Sequence, residues 1–150
     1  MKRETRIKKI LALREGELDK ARTVLASANR DLEVARETTR QAVARANLAK
    51  ARHDEMLKGG TLDVTGWADS EAWVLSEEKR IEICAEAEAE ATAHMVRCRE
   101  SVVVAQGNVD RIKALLERMA KAEAQVEVRK ERKLEDEFAR RAFGGTPSDE

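Results

Sequence analysis

A sevenfold spacing of apolar residues constrains this chain more than any other feature of its sequence. One position of the repeat holds Leu11, Leu18, Leu25, Leu32, Thr39, Ala46 and His53. A second position, offset by three residues, holds Ile7, Arg14, Ala21, Ala28, Ala35, Ala42, Ala49 and Met56. One large and one small residue per heptad is typical of a coiled-coil seam on which two helix backbones approach closely. The pattern therefore predicts a long first helix that pairs with another helix.

The composition and the glycine positions predict where the helices end. The 150 residues are 39% charged and 42% apolar but only 3% aromatic, which is typical of long helices rather than of an aromatic-rich core. The single proline is Pro147, so any earlier interruption must come from glycine. Gly59, Gly60 and Gly66 form one cluster. We therefore expect helices at about 4–58 and 69–142, a turn at about 59–68 with Thr65 or Asp69 as the helix cap, and a flexible tail at 144–150.

The second helix carries a matching seam. Apolar residues recur at three-four spacing in Val102, Ala105, Val109, Ile112, Leu116, Met119 and Val126. A short connection between two such helices favours an antiparallel hairpin. A turn centred near residue 64 brings Leu11 opposite Leu116 and Leu25 opposite Val102. The predicted fold is all-α: a single coiled-coil hairpin of residues 1–143, whose second helix projects by about 25 Å from Val126 onward past the start of the first.

The projecting segment, residues 126–143, is the first candidate for function. Its charges alternate in small blocks that can pair along the helix, and Leu134 and Phe138 lie four residues apart on one face. One interpretation is a solvated helix end with paired charges. The other is a helical peptide that inserts into a partner, with Leu134, Phe138 and Ala142 as apolar anchors. The presence of both phenylalanines of the chain, Phe138 and Phe143, in this segment favours insertion.

Two tryptophans, Trp67 and Trp73, stand at the turn. They either cover the end of the hairpin or form a second contact surface far along the chain from the projecting segment. The Glu86, Glu88 and Glu90 run is interpreted as a solvated helix surface.

Several classes of function are not expected. The net charge is zero and acidic residues interrupt every basic cluster, which argues against nucleic-acid binding. Phosphate-binding, dinucleotide-binding and nucleophile motifs are absent from the sequence, and two helices enclose no pocket, so we expect no catalytic residues and no cofactor. His94 and Cys98 are four apart, but a structural zinc site needs four ligands, so no metal site is expected. With no apolar run of membrane-spanning length and no signal-peptide pattern, we expect a cytoplasmic protein in which Cys84 and Cys98 are thiols.

The segment from Arg129 to Ala142 carries a family resemblance. Its basic stretch followed by Asp136-Glu137-Phe138-Ala139-Arg140-Arg141-Ala142 is similar to the ending of flagellar members of the central-stalk proteins of type III export machines, and the opening Arg6–Glu15 has the same style. This family comprises the FliJ-like proteins of flagella and the YscO-like proteins of injectisomes. The tryptophan-bearing start of the second helix is closer to injectisome members, so the resemblance leaves both machines open.

The resemblance implies a mechanical role like that of the rotary stalk of F-type ATPases. The joined helix termini would enter the pore of a hexameric type III export ATPase, and other parts would reach the export gate protein and chaperones of secreted proteins, with membrane association only through partners. The positions that the resemblance and the apolar anchors assign to partner binding are Arg129, Lys130, Arg132, Lys133, Leu134, Asp136, Glu137, Phe138 and Arg141. The alternative is a generic cytoplasmic coiled-coil adaptor or tethering protein that acts by self-association. Arg14 and Glu123, which interrupt the two seams, fit either function as devices that set register or partner.

Overall fold

The fold is an antiparallel hairpin of two long helices. The computed structural model describes residues 2–59 and 63–144. Helix α1 spans Arg3–Lys58 and helix α2 spans Val64–Phe143, and the part of the chain that the structure describes contains no strand. The second helix is the longer, with 80 residues against 56. The predicted all-α hairpin with a longer second helix is confirmed.

Helix α2 begins about five residues before its predicted start, because its cap is Asp63. The Asp63 carboxylate accepts a hydrogen bond from the Thr65 backbone N–H at 3.2 Å, and its carbonyl accepts one from the Trp67 N–H at 2.9 Å. These bonds satisfy amide groups that the first turn of a helix leaves without partners. Gly66 therefore lies inside the helix rather than in the turn. Residues 60–62 of the predicted turn and residues 145–150 of the predicted tail at 144–150 lie outside the described residues.

Contacts along the hairpin divide the chain into two compact units. The first, Glu17–Ala105, is called the tip unit because it contains the turn. In this unit the predicted α1 seam is buried or half-buried at every position up to His53. Its apolar core joins Ala28 and Leu32 of α1 to Met95 and Cys98 of α2, with Leu25 and Ala91 packed against them.

Polar contacts between the helices fix the register of the tip unit. Arg36 lies 3.9 Å from Glu88, Thr39 Oγ1 lies 3.4 Å from the carbonyl oxygen of Cys84, and Lys50 lies 3.2 Å from Glu78. These pairs place the register within about one helical turn of the predicted one. The interpretation of Glu86, Glu88 and Glu90 as a solvated helix surface is wrong for Glu88, because this residue is half-buried against α1.

The second unit, Met1–Gly16 with Gln106–Glu150, is called the terminal unit because it contains both chain ends. Ile7 and Val109 are buried in it, and the seam residues Leu11, Ile112 and Leu116 are half-buried. Met119 is the last residue of α2 that is not exposed, since every residue from 120 to 144 is exposed. In both described stretches of the chain, neither helix has an apolar stretch long enough to cross a membrane.

Candidate partner-binding surface

The segment 126–143, called the overhang from here on, is a helix that packs against no other part of the chain within residues 2–59 and 63–144. Its large apolar side chains are exposed: Leu134 by 66%, Phe138 by 76% and Phe143 by 91%. Exposed aliphatic side chains also occur on the paired part of the hairpin, such as Leu13 and Val103, but Phe138 and Phe143 are the most exposed large apolar side chains among the described residues. The overhang therefore presents apolar surface that the hairpin itself leaves uncovered.

The overhang begins where α1 starts. Lys8 of α1 forms an ion pair with Glu4 at 2.8 Å. This hydrogen-bonded pair raises the pKa of Lys8, with a smaller electrostatic contribution from Glu123 of α2. Glu123 is therefore near enough to α1 to act on its charges, and residues beyond it extend toward the free end of α2. The Lys8 ammonium likewise lowers the pKa of Glu4.

The charges of the overhang are sorted onto two faces. Because an α-helix has 3.6 residues per turn, consecutive side chains are rotated by about 100°. All six basic residues then fall on one half of the helix, here called the basic face: Arg129, Lys130, Arg132, Lys133, Arg140 and Arg141. Asp136 and Glu137 lie on the same half. A shallow surface depression runs along this face, lined by Val126, Arg129, Lys130, Arg132, Lys133 and Asp136.

The opposite half, here called the anchor face, carries Leu134, Phe138 and Ala142. Three acidic residues, Glu127, Glu131 and Glu135, lie among these apolar side chains. Acidic groups in the middle of an apolar face oppose binding to an anionic bilayer. The anchor face is therefore suited to a protein surface that offers apolar pockets together with polar or basic groups.

Few of the overhang charges are neutralised by other residues that the structure describes. Lys130 lies 3.7 Å from Glu127, and both side chains are well exposed. Exposed pairs of this kind contribute about 0–1 kcal/mol and leave both groups available to a partner. Among the described residues, the other positions assigned to partner binding on sequence grounds make no side-chain hydrogen bond or ion pair: Arg129, Arg132, Lys133, Leu134, Asp136, Glu137, Phe138 and Arg141.

The two tryptophans at the turn contact α1. The ring of Trp67 lies 5.5 Å from that of His53, and the Arg52 guanidinium lies 5.7 Å from the ring of Trp73. His53 also forms a 3.0 Å hydrogen bond with Ser70, some five residues from the position near 75 that the predicted register places opposite it. These contacts hold the first turns of α2 against α1, while Trp73 keeps 36% of its surface exposed.

The cysteines and histidines of the chain belong to the tip unit. Cys84 and Cys98 are free thiols, half-buried and buried. The Cys98 sulfur lies 3.6 Å from Nε2 of His94, one helical turn earlier. Among the described residues no group of three or more His, Cys, Asp or Glu side chains is arranged to hold a metal ion. Cys98 contributes to the tip-unit core as a small apolar side chain.

Sequence reasoning missed two polar residues that the structure singles out. Asp63 caps α2, and its signal was an aspartate three residues after the Gly59-Gly60 pair. Glu77 is buried at a seam position of α2, and its signal was a charged residue at three-four spacing between Val74 and Ile81.

Comparison with known protein families gives a match that covers nearly the whole chain. A family model described as the flagellar FliJ protein matches residues 1–148. No curated protein and no solved structure matches the chain.

Proposed function

Because the chain belongs to the FliJ family, we propose that it is the central stalk that couples a hexameric export ATPase to the export gate. Membership implies a stalk component of the flagellar protein-export apparatus, and the family is one of structural stalk proteins rather than of known enzymes. The family match thus identifies the flagellar export apparatus as the assembly in which the chain works. We further propose which end of the chain contacts which partner.

In this proposal the overhang enters the ATPase ring. The observation that carries it is the exposure of Leu134 and Phe138 on a helix that continues past the last half-buried residue, Met119. A helical segment with apolar anchors and no intramolecular partner is suited to insertion into a groove or pore of another protein. A ring surrounds what enters it, so both faces of the overhang would have contacts at once.

The two faces suit different parts of such a ring. The basic face would meet acidic side chains, which bring the partners together and set their orientation. The anchor face would seat Phe138 and Leu134 in apolar contacts, which account for most of the binding energy when they are fully desolvated. The proposed contact positions are those named on sequence grounds: Arg129, Lys130, Arg132, Lys133, Leu134, Asp136, Glu137, Phe138 and Arg141.

The proposal assigns the remaining partners to the other end of the hairpin. The tip unit would reach the export gate protein and chaperones of secreted proteins, with Trp67 and Trp73 as a second contact. Trp73 supports this assignment because more than a third of its surface is exposed beside Arg52. Tryptophan and arginine are the residue types most enriched in the energetically dominant parts of interfaces.

The first experiment is a pull-down from cell lysate with the full chain and with a truncation that ends at Gln125, followed by mass spectrometry. We expect the full chain to recover a hexameric export ATPase and the truncation to lose it. Recovery of the ATPase by both proteins would overturn the assignment of the overhang. Self-association alone, retained by both, would favour the coiled-coil adaptor.

Point variants then separate the two faces. We expect Phe138→Ala to weaken ATPase binding by about 2 kcal/mol, roughly thirtyfold, as for an anchor residue of an interface. We expect the double variant Arg132→Glu, Lys133→Glu to weaken ATPase binding more at low salt than at high salt, because salt screens interactions between charges. The matched control is Arg118→Glu with Lys121→Glu, which makes the same change of charge at two exposed bases of α2 outside the overhang. Equal loss in the control would indicate a general charge effect instead of a site.

A further inference from the structure

Two buried polar atoms in the described part of the chain have no hydrogen-bond partner, and both lie toward the turn. They are Nε1 of Trp67 and Oε2 of Glu77. A polar atom that is buried without a partner loses its hydrogen bonds to water and forms none within the protein, which lowers the stability of the folded state. Both atoms belong to the tip unit, within a part here called the tip half: residues 42–58 of α1 and 64–84 of α2.

Glu77 occupies a seam position. Its side chain is only 8% exposed, and it continues the three-four spacing of Ser70, Val74, Ile81 and Cys84. Two other polar side chains of the tip-unit seams have partners in the opposite helix: Glu88 lies near Arg36, and His53 bonds to Ser70. Glu77 has a carboxylate oxygen that remains unsatisfied.

The fully buried apolar side chains of the tip half are small, and its larger ones, Trp67, Val74 and Ile81, are only half-buried. The α1 residues buried there are Ala42, Ala46 and Ala49, and an alanine side chain removes only one methyl group from water. The core cluster, with Leu32 and Met95, lies farther from the turn. Because burial of apolar surface is the main stabilising contribution in a helix pair, the two parts of the tip unit differ in local stability.

Polar contacts hold the tip half instead. They are the Lys50–Glu78 ion pair, whose side chains are about half exposed, the His53–Ser70 hydrogen bond and the ring contacts of Trp67 and Trp73. Exposed ion pairs are weak, and contacts of this kind are found in regions that open below the free energy of global unfolding.

We infer that the hairpin opens locally from its turn, and that Glu77 is the residue that keeps this opening accessible. In the open state the carboxylate of Glu77 and the indole N–H of Trp67 are hydrated, while the Leu32–Met95 core stays packed. Opening exposes the alanine seam and both faces of the Trp67 ring. The inference concerns the fold and is independent of the proposed function.

The test is native-state hydrogen exchange of the full chain, read by mass spectrometry on peptides from the tip half and from the core cluster. Wild type is compared with Glu77→Ala and with Glu82→Ala. Glu82 is the matched control because it is an exposed glutamate of the same helix, so both substitutions change helix propensity equally. Glu77→Ala removes the unsatisfied group and leaves an alanine like those across the seam.

In the wild type we expect the tip half to exchange faster than the core peptides. We expect Glu77→Ala to slow exchange in the tip half by about tenfold or more, and to leave the core peptides and the Glu82→Ala variant close to wild type. Equal protection of tip half and core in the wild type would overturn the inference. So would unchanged or faster exchange in Glu77→Ala, or slowing that is equal in the core, which would indicate a global effect.

Discussion

Val109 is the largest fully buried side chain among the described residues, at 1% exposed. Val109→Ala removes two methyl groups from a packed seam and is expected to destabilise the protein by about 2 kcal/mol, because transfer and cavity costs add. Urea unfolding followed by circular dichroism measures this value. Val103→Ala is the matched control, since Val103 is 66% exposed on the same helix. A similar loss in both variants would contradict the placement of Val109 in the seam.

The Glu4–Lys8 pair gives a prediction for pH. The hydrogen bond and charge of Lys8 lower the pKa of Glu4 from its ordinary value of 4.5, so the stabilisation that this carboxylate adds is present above that value and is lost as pH falls through the lowered pKa. The pKa of Lys8 is raised, so the stabilisation that its ammonium group adds is lost at alkaline pH, as the pH rises through that pKa.

We expect Lys8→Ala to raise the pKa of Glu4 toward its ordinary value. An NMR titration of the Glu4 side chain measures the shift, with Lys9→Ala as the control, because Lys9 is exposed and makes no ion pair in the described structure. An unchanged Glu4 titration in Lys8→Ala would show that the pair does not form in solution.

For individual residues, the sequence predicts burial when a side chain is suited to only one environment, the interior or the solvent. The leucine and alanine positions of the α1 seam follow from spacing alone, since only one helix face can be removed from water. Met56 is the exception, at 39% exposed, because α1 ends two residues later. The burial of Glu77 could not be predicted, because a glutamate at a seam position can turn to solvent or stay inside, and spacing does not choose between the two.

Among the structural elements, the glycines of the two helices have different surroundings. A Cβ added at Gly16 would meet no atom within 4 Å, whereas one at Gly66 would lie 3.2 Å from Oδ2 of Asp63 and 3.4 Å from Cε of Met56. Asp63 is also the cap of α2. The two positions therefore differ in what alanine would cost.

We expect Gly16→Ala to stabilise the protein by about 0.5–1 kcal/mol, the difference in helix preference between alanine and glycine. Gly66→Ala is expected to give no gain, because the added methyl group displaces the capping carboxylate. Thermal unfolding of the two variants measures the difference. Equal stabilisation by both would mean that Asp63 moves aside without loss of its cap.

The elements also show which signals locate helix ends. The stop of α1 at Lys58 follows directly from the Gly59-Gly60 pair. Helix α2 starts earlier than the glycine pattern predicts, because Gly66 lies in a first turn that the Asp63 carboxylate caps. A helix cap depends on the placement of one side chain against backbone amides of the first turn. Several residues near this turn have a side-chain oxygen that could form the cap, so residue type alone does not identify it.

For the whole molecule, the overhang should contribute almost nothing to stability. No described residue after Met119 is buried or half-buried, so a truncation that ends at Gln125 is expected to unfold within about 0.5 kcal/mol of the full chain. Urea titration of both proteins measures this difference. A large loss would mean that the overhang packs on the hairpin in solution, and it would remove the basis for its proposed role as a free end.

The existence of the overhang could be predicted from the sequence, whereas its contacts could not. Helix lengths and a short turn require the longer helix to pass the end of the shorter one, and the family match is consistent with the resemblance carried by residues 129–142. Which side chains of the overhang touch a partner depends on the shape of that partner. A tryptophan beside a turn can pack over the turn or remain exposed for another protein, and composition does not separate the two: Trp67 is half-buried, whereas Trp73 is 36% exposed.

An unsupported helix such as the overhang is stable only marginally in water, since most helical stability in proteins comes from packing. When its end frays, a partner must first restore the helix, and the entropy lost in doing so is subtracted from the affinity. Substitutions that raise intrinsic helicity on surfaces that never touch the partner should therefore tighten binding. The helix propensities of the residues in the overhang would then influence how readily the whole assembly forms.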